Sequence, residues 1–146
     1  MPATPESGNV LAFDYGTRTT GVAIGNRLTA RARALAALAT GDWARFDALV
    51  AEWNPDCFVV GLALARDGGE QPMTRATRAF AAELERRYAR RAHLHDERYS
   101  SGEAARRFAD RRARGAAKRK DAAAIDALAA EVVLDAWFAE NGAQAP

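Results

Sequence analysis

The pattern of apolar and polar positions predicts a hairpin near the start of the chain. Residues 10–13 form an unbroken apolar run that ends at Asp14, and Gly21 opens a second apolar run at residues 22–24. Short apolar runs bounded by glycine are typical of strands buried on both faces, and two such runs a few residues apart predict a hairpin. Asp14 is therefore expected where a central strand leaves the core, the end at which open α/β sheets bind ligands.

The rest of the chain alternates between predicted strands and helices. Period-two alternation at residues 28–35 predicts an edge strand, and an apolar run predicts a buried strand at 56–61. A further short strand is predicted at 92–96. Helices are predicted at 42–53, at 72–90, from a capping box at 100–103, and at 121–140. Residues 66–69 are predicted to form a loop. This order predicts a mixed five-stranded α/β sheet with helices on both faces.

Composition limits the class of protein. The chain has 146 residues, of which 49% are hydrophobic and 27% charged, as expected for one globular domain. We expect that domain at residues 10–140, with flexible tails at 1–9 and 141–146. No apolar run is long enough to span a membrane, and the first residues lack the apolar core of a signal peptide. The single cysteine, Cys57, lies in an apolar run and predicts a reduced core thiol in a cytoplasmic protein.

Basic residues are concentrated in one segment, although the formal net charge is only +2. Between Glu103 and Asp121, a single acid, Asp110, accompanies the following basic residues: Arg106, Arg107, Arg111, Arg112, Arg114, Lys118, Arg119 and Lys120. Such a segment favours a polyanionic partner such as nucleic acid. A solvated helix face is the structural alternative.

Three acids stand out by their positions. Asp14 and Glu97 each follow a predicted strand, so parallel pairing would bring both to the same edge of the sheet. On a helical wheel, Val133 and Trp137 lie within about 20° of Asp126, which places Asp126 on the apolar side. Glu131 and Asp135 lie about 140° and 180° away and are expected on the solvent side.

Gathering these acids requires a compensating charge. Two bare charges about 4 Å apart repel by roughly 4 kcal/mol at an effective dielectric near 20. Divalent cations reverse that sign, and a donor set made only of oxygen suits Mg²⁺ or Mn²⁺. Two such ions can activate water and stabilise the leaving oxygen of a phosphodiester.

Each acid also has a structural interpretation. Asp14 could cap the following turn, Glu97 could pair with Arg98 or Arg18, and Asp126 could bond a buried arginine or a backbone amide. Asp96 could replace Glu97, because a slip of one residue exchanges the two faces of a strand. Whether Asp67 joins the site is open. His93 and His95 share one strand face, where packing or hydrogen bonding is favoured over zinc binding because further ligands are not visible.

Four motifs in order resemble the YqgF family. They read AFDYGTRTTGVAIGN, VVGLALARDGGEQP, HDERYSS-x-EA and IDALAA, and with them the resemblance extends over residues 10–138. The family contains RuvC-like nucleases, described both as Holliday junction resolvases and as nucleases that mature the 5′ end of pre-16S rRNA. The resemblance implies an RNase H-like fold with the sheet order 3-2-1-4-5.

The resemblance also implies roles for individual residues. Asp14, Glu97 and Asp126 match the family's three acids, which implies that they are catalytic and bind Mg²⁺ or Mn²⁺. The residues implied to contact substrate are Gly16, Thr17, Arg18, Arg98, Lys118, Arg119 and Lys120. The chain departs from the family at Ala63, where a proline is usual, and this puts the substrate role of the following loop in doubt.

The implied activity is phosphodiester hydrolysis in structured nucleic acid. The expected substrate is pre-16S rRNA, with ribosomal precursor particles as partners and the protein a monomer or weak homodimer. One alternative is resolution of DNA junctions, which needs two active sites and hence a dimer. A second alternative is a non-catalytic RNA-binding factor in transcription or ribosome assembly. A third alternative is a nucleotide-binding kinase or ATPase, because residues 14–17 resemble a phosphate loop. Kinases and ATPases of that type, however, clamp ATP between two such domains, and this chain has one.

Overall fold

The protein folds around one mixed sheet, seen here in a computed structural model that describes residues 7–65, 67–97, 106–107, 109–110 and 122–141. In chain order, the elements are β1 (Asn9–Asp14), β2 (Thr19–Asn26), β3 (Arg31–Ala39), α1 (Trp43–Trp53), β4 (Cys57–Leu62), α2 (Pro72–Tyr88), β5 (Ala92–Asp96) and α3 (Ala122–Asn141). The strand order is β3-β2-β1-β4-β5, which confirms the predicted five-stranded α/β sheet.

Strand β1 lies at the centre of the sheet. It pairs antiparallel with β2 and parallel with β4, and β4 in turn pairs parallel with β5. The carboxyl ends of β1, β4 and β5 therefore share one edge of the sheet, here named the carboxyl edge and marked by Asp14, Leu62 and Asp96. The amino edge is the opposite one, marked by Asn9 and Ala92.

The predicted bounds of the third strand were wrong. We expected residues 28–35, whereas β3 is Arg31–Ala39 and is preceded by a turn. Ala30 has a left-handed backbone with φ of 54°, and its N–H donates to the carbonyl oxygen of Asn26 at 2.8 Å. A period-two pattern does not mark where pairing begins, and here the turn stabilised by Asn26 sets that point. Leu28 is consequently 89% exposed, while Leu38 is only 3% exposed.

Helices α1 and α2 begin and end close to their predicted limits. α1 ends at Trp53, where Asn54 has φ of 43° and its N–H donates to Val50 at 2.8 Å. α2 begins at the predicted Pro72 but ends at Tyr88 rather than at residue 90, because Ala89 adopts φ of 55°.

A cluster of aromatic rings fills the core between the sheet and the helices α1 and α2. Phe13 on β1 lies 5.8 Å from Phe46, 5.8 Å from Phe58 and 5.5 Å from Phe80, measured between ring centroids. All four rings are buried, and such tilted and edge-to-face contacts add to the stabilisation from burial. This core holds the central strand in place directly below the predicted site.

The opposite face of the sheet is covered by α3. Small residues of β1 and β2, including Ala12 and Ala23, pack against Ala130, Val133 and Leu134 of the helix. Because α3 lies across β1, β2 and β3, more than half of its circumference is buried.

The predicted solvent position of Glu131 was wrong, because this residue is only 5% exposed. Its Oε1 accepts the backbone N–H of Ala34 on β3 at 2.9 Å, and its Oε2 lies 2.8 Å from Arg107. The same guanidinium nitrogen lies 2.8 Å from the half-buried Asp135. A wheel for the helix alone could not show that the edge strand and an arginine would enclose this side of α3.

The cysteine and the two histidines pack as expected. Cys57 is buried as a free thiol. The ring of His93 lies 5.3 Å from that of Trp137, and Nδ1 of the buried His95 lies 3.6 Å from Glu140. His93 thus packs against an aromatic ring, and His95 lies within ion-pair distance of a glutamate.

Several predicted features fall partly or wholly outside the described residues. Arg106, Arg107, Ala109 and Asp110 have helical backbone, in agreement with the helix expected after the capping box at 100–103, which lies outside them. The described part of the chain also leaves out Arg66, Asp121 and most of the expected tails, at residues 1–6 and 142–146. Ser7 and Gly8, both assigned to the tail, donate backbone hydrogen bonds to Asp56 at 3.0 and 2.8 Å.

Among the helices described, none has the length and apolar character needed to cross a membrane.

The bounds of β3 can be tested by making the same substitution at two leucines. Leu38→Ala removes a buried side chain and should lower the free energy of unfolding by about 2–5 kcal/mol. Leu28→Ala should change it by no more than about 0.5 kcal/mol, because that side chain already lies in solvent. Denaturant unfolding of both variants measures the difference. Equal losses would contradict the observed strand and favour a strand that includes residue 28.

Candidate active site

Two of the predicted acids meet across the carboxyl edge of the sheet. Asp14 is the last residue of β1, and Glu97 follows β5 with its N–H donating to the carbonyl of Leu62 at 3.1 Å. Strand β4 lies between them, and Gly61 allows the Glu97 side chain to pass over it. A Cβ atom at Gly61 would lie 2.3 Å from Oε1 of Glu97. The absence of a side chain there is what lets Glu97 reach the central strand.

The two carboxyl groups share a hydrogen bond. Burial raises the pKa of Glu97 from its ordinary value of 4.5 to about 9, with a further contribution from the negative charge of Asp14. Burial also raises the pKa of Asp14, while the hydrogen bond from Glu97 acts in the opposite direction. Glu97 is therefore the protonated partner at neutral pH and donates to the Asp14 carboxylate. Asp96, the alternative to Glu97, acts on the pair through its charge, which also raises the pKa of Glu97.

The third acid, Asp126, lies on α3 and approaches β1 from the side of β2, whereas Glu97 approaches it across β4. Gly21, the partner of Asp14 in the hairpin, allows this approach, because a Cβ atom there would lie 1.8 Å from the carbonyl oxygen of Asp126. The Asp126 side chain accepts a hydrogen bond from the Thr19 hydroxyl at 2.7 Å. Its charge contributes to the raised pKa of Asp14, so the three acids act on one another at one place.

The turn after β1 is held by a threonine from the far end of β3. The hydroxyl of Thr40 donates to the carbonyl of Gly16 at 2.7 Å, and its N–H donates to the carbonyl of Arg18 at 2.9 Å. Thr17 and Arg18 are exposed beside the acids. Gly16, Thr17 and Arg18 thus lie in the turn between Asp14 and Thr19, the residue that holds Asp126.

The remaining predicted substrate residues cannot be placed. Arg98, Lys118, Arg119 and Lys120 lie outside the described part of the chain.

The loop after β4 is tied to α2 even though alanine replaces the family's proline. The hydroxyl of Thr74 donates to the carbonyl of Ala63. Further along the loop, the N–H of Ala65 donates to Gly69 at 2.9 Å, and Asp67 accepts the N–H of Gly69 at 2.8 Å. Asp67 is exposed and serves this turn, so its contacts give it a local structural role.

Three residues that shape the site were not among those predicted from the sequence. Thr19 orients Asp126, Gly61 makes room for Glu97, and Thr40 holds the turn. A glycine inside an otherwise continuous apolar strand was a visible signal for Gly61, since such a residue often marks a close approach. The threonines carried no comparable signal, because their partners are distant in sequence.

The donor set suits a hard cation, although the acids are not preassembled as a cage. Within the described segments, no group of three His, Cys, Asp or Glu side chains has metal-ligand geometry as it stands. The hydrogen bonds explain this, because Glu97 is turned toward Asp14 and Asp126 toward Thr19. Carboxylate oxygens are the preferred ligands of Mg²⁺ and Mn²⁺, and a bound cation would replace the proton shared by Asp14 and Glu97.

Comparison with known proteins agrees with this arrangement. A sequence model of the family described as "RuvX: Holliday junction resolvase" matches residues 8–140. A protein of Xanthomonas axonopodis pv. citri is 48% identical over 136 residues, covering 90% of this chain and 88% of the relative. A protein of Pectobacterium atrosepticum is 44% identical over 133 residues, covering 88% and 94%. Both relatives carry the name "Putative pre-16S rRNA nuclease".

Solved structures give the same architecture. RuvC of Thermus thermophilus superposes with a TM-score of 0.54 at 15% identity, covering 92% of this chain and 96% of that one. The same enzyme in complex with a Holliday junction substrate gives a TM-score of 0.52 at 16% identity, with the same coverage. These similarities confirm the expected RuvC-like fold. The family model that matches residues 8–140, together with relatives at 44–48% identity, establishes that the chain belongs to the RuvX family.

Proposed function

We propose that this protein is a metal-dependent nuclease that hydrolyses phosphodiester bonds at the carboxyl edge of its sheet. The observation that carries the proposal is the half-buried, hydrogen-bonded pair Asp14–Glu97, on which the charge of Asp126 also acts. Asp14 has no basic side chain as a partner among the described residues, so its charge is left for a ligand to compensate. Membership of the RuvX family supports the same reaction.

The three acids would bind Mg²⁺ or Mn²⁺. When bound, such ions activate water for attack and stabilise the leaving oxygen of a phosphodiester. Asp14 and Glu97 would contribute by releasing their shared proton, and Asp126 by exchanging its hydrogen bond from Thr19 for the ion. This chemistry requires no serine, cysteine or histidine nucleophile.

Residues around the acids are suited to hold the nucleic-acid backbone. The exposed Arg18 and the hydroxyl of Thr17 can bind phosphate beside Asp14, and the backbone of Gly16 can approach closely because it has no side chain. From their sequence positions, we assign further phosphate contacts to Arg98, Lys118, Arg119 and Lys120. Substrate binding should therefore weaken as salt concentration rises.

The substrate best supported is precursor 16S rRNA, processed at its 5′ end during ribosome biogenesis. The names of the relatives at 44–48% identity support this choice. It implies a cytoplasmic enzyme that acts as a monomer or weak homodimer on ribosomal precursor particles. Resolution of Holliday junctions is the second candidate, because the family description and the RuvC complex both refer to such junctions. That reaction needs two active sites facing one junction.

Replacing the central acid tests the catalytic assignment. Asp14→Asn should reduce the cleavage rate at least about a hundredfold, because it removes a charge that the ions need, while binding of nucleic acid is retained. Labelled rRNA precursor and a four-way DNA junction, each with Mg²⁺ and with Mn²⁺, provide the substrates. Cleavage of the precursor alone would assign the natural substrate, and sedimentation at the assay concentration would give the oligomeric state.

The matched control is Asp67→Asn, which makes the same change in an exposed loop residue. It should leave the cleavage rate within about twofold, as expected for a surface substitution. If Asp14→Asn cleaves as fast as this control, the proposed site is wrong.

The acid pair also predicts how stability depends on pH. Between pH 4.5 and about 9, the folded metal-free protein keeps a proton on Glu97 that the unfolded chain has released. The folded state binds more protons in this window, so the free energy of unfolding falls as pH rises through it. Glu97→Gln imitates the protonated acid and should remove most of that fall. At pH 9 the variant should melt at least about 3 °C above the parent protein in EDTA.

The same melting curves test the metal site. Mg²⁺ or Mn²⁺ at saturating concentration should raise the melting temperature of the parent protein and should have little effect on Glu97→Gln. The exposed Glu52→Gln provides the control and should behave as the parent does at every pH. An unchanged pH dependence in Glu97→Gln would show that Glu97 is not the protonated partner.

A further inference from the structure

A second concave site lies at the amino edge of the sheet, away from the three acids. A cleft of about 530 Å³ opens between the end of β2, the start of β3 and Trp53 at the end of α1. This volume lies within the range of sites that hold small molecules or single nucleotides. None of the residues assigned to the reaction lines it.

The cleft carries two guanidinium groups on its edge strand. Arg31 and Arg33 are exposed on β3, and neither forms an ion pair with a carboxylate in the described part of the chain. The nearby Arg27 differs, because it is held by Asp56 at 2.6 Å. Arg31 and Arg33 therefore keep their hydrogen-bonding capacity for an anion, and guanidinium groups suit phosphate in particular.

An aromatic ring completes this surface. The guanidinium carbon of Arg33 lies 5.6 Å from the centre of the Trp53 ring. A tryptophan next to an arginine offers a surface on which any nucleobase can stack, without preference for sequence.

The acid in the lining does not cancel the positive charge. Glu131 is buried and bonded to Arg107 and to the backbone of Ala34, so its charge is already compensated. The asparagines are engaged with the fold, because Asn26 donates to Asn9 at 3.0 Å and Asn9 donates to the carbonyl of Trp53 at 2.7 Å. The groups left for a ligand are thus two cations and an aromatic face.

We propose that this cleft binds a single-stranded segment of the nucleic-acid substrate, with phosphates on Arg31 and Arg33 and a base against Trp53. The identity of the ligand rests on the proposed nuclease function, whereas the site itself rests on the cleft. Binding here would hold a strand that extends from the scissile bond and would favour substrates with single-stranded extensions.

The dimensions of the sheet set a minimum length for such an extension. Strand β1 separates Asn9 at the cleft from Asp14 at the acids by five residue steps, or about 17 Å. A strand that stays stacked rises about 3.4 Å per nucleotide, so about five stacked nucleotides correspond to this separation. Shorter extensions should gain no affinity from the cleft.

Binding is measured in the Asp14→Asn background, so that cleavage plays no part. Fluorescence anisotropy compares RNA duplexes that carry no extension, a three-nucleotide extension or an eight-nucleotide extension. Arg31→Ala and Arg33→Ala should each weaken binding of the longest extension about fivefold to tenfold and leave the other two RNAs unchanged. Each should also reduce the slope of log affinity against log salt by about 0.7, as expected when one phosphate contact to a single strand is lost.

Arg91→Ala is the matched control. Arg91 is an exposed arginine at the same amino edge, beside β5 and outside the cleft. It should change the affinity for every RNA by less than about twofold. Equal effects of Arg91→Ala and Arg33→Ala would overturn the proposal, because the arginines would then act only through total charge.

Tryptophan fluorescence tests the cleft directly. The chain has three tryptophans, so Trp53→Phe leaves Trp43 and Trp137 as internal references. The eight-nucleotide extension should quench the emission of the parent protein, and most of that quenching should be absent in Trp53→Phe. Undiminished quenching in this variant would contradict stacking on Trp53. If adenosine monophosphate quenches Trp53 as tightly as the extended RNA does, the cleft is a mononucleotide site and the proposal is wrong.

These binding experiments test the cleft independently of whether the protein is a nuclease. Loss of binding in the Arg31 and Arg33 variants would support the cleft even if the parent protein cleaved no substrate. Normal cleavage with unchanged binding in these variants would leave the nuclease proposal intact and refute the cleft.

Discussion

The arrangement of the site depends on the electrostatic interaction between Asp14 and Glu97. Two ionised carboxylates about 4 Å apart repel by roughly 4 kcal/mol at an effective dielectric near 20, and burial removes the water that would screen them. The metal-free protein avoids this cost by keeping a proton on Glu97, whose pKa rises to about 9. A divalent cation offers another way to balance the charge. In the proposed metal site, a cation would take the place of this proton.

The backbone that brings these acids together depends on two glycines in buried strands. Gly61 lets Glu97 cross β4, and Gly21 lets the backbone of α3 come close to β2 beside Asp14. Glycine inside a strand weakens it, because it contributes no side chain to the packing and loses more conformational freedom on folding. The aromatic core on the other face supplies packing beneath the site, and Phe13 directly precedes Asp14 in the same strand. The aromatic core thus supplies packing directly next to the acids, while the glycines open space at the carboxyl edge.

Much of the fold was predictable because it depends on local burial patterns. Apolar runs predicted β1 and β4, and proline and asparagine predicted the limits of α1 and α2. Each of these signals depends only on a few neighbouring residues. The positions of Asp14 and Glu97 followed from the same patterns, because both acids end predicted parallel strands. The start of β3 was not predictable, since its alternating residues fit several frames and the Asn26 turn selects one of them. The roles of Thr19 and Thr40 were also hidden, because their partners lie 107 and 24 residues away in sequence.

The acids of α3 show what separates a candidate site residue from a structural one. A helical wheel distinguishes Asp126 from Glu131 by direction alone, and it placed Glu131 in solvent where the structure buries it. Their partners separate them better. Glu131 and Asp135 share the guanidinium of Arg107, and Glu131 also accepts a backbone N–H, so both carboxylates have partners within the fold. Asp126 is held by the neutral hydroxyl of Thr19, which orients the carboxylate but leaves its charge in place. About 7.5 Å apart along one helix, Glu131 fastens the helix to the edge strand, and Asp126 keeps an uncompensated charge that the proposed cation would balance.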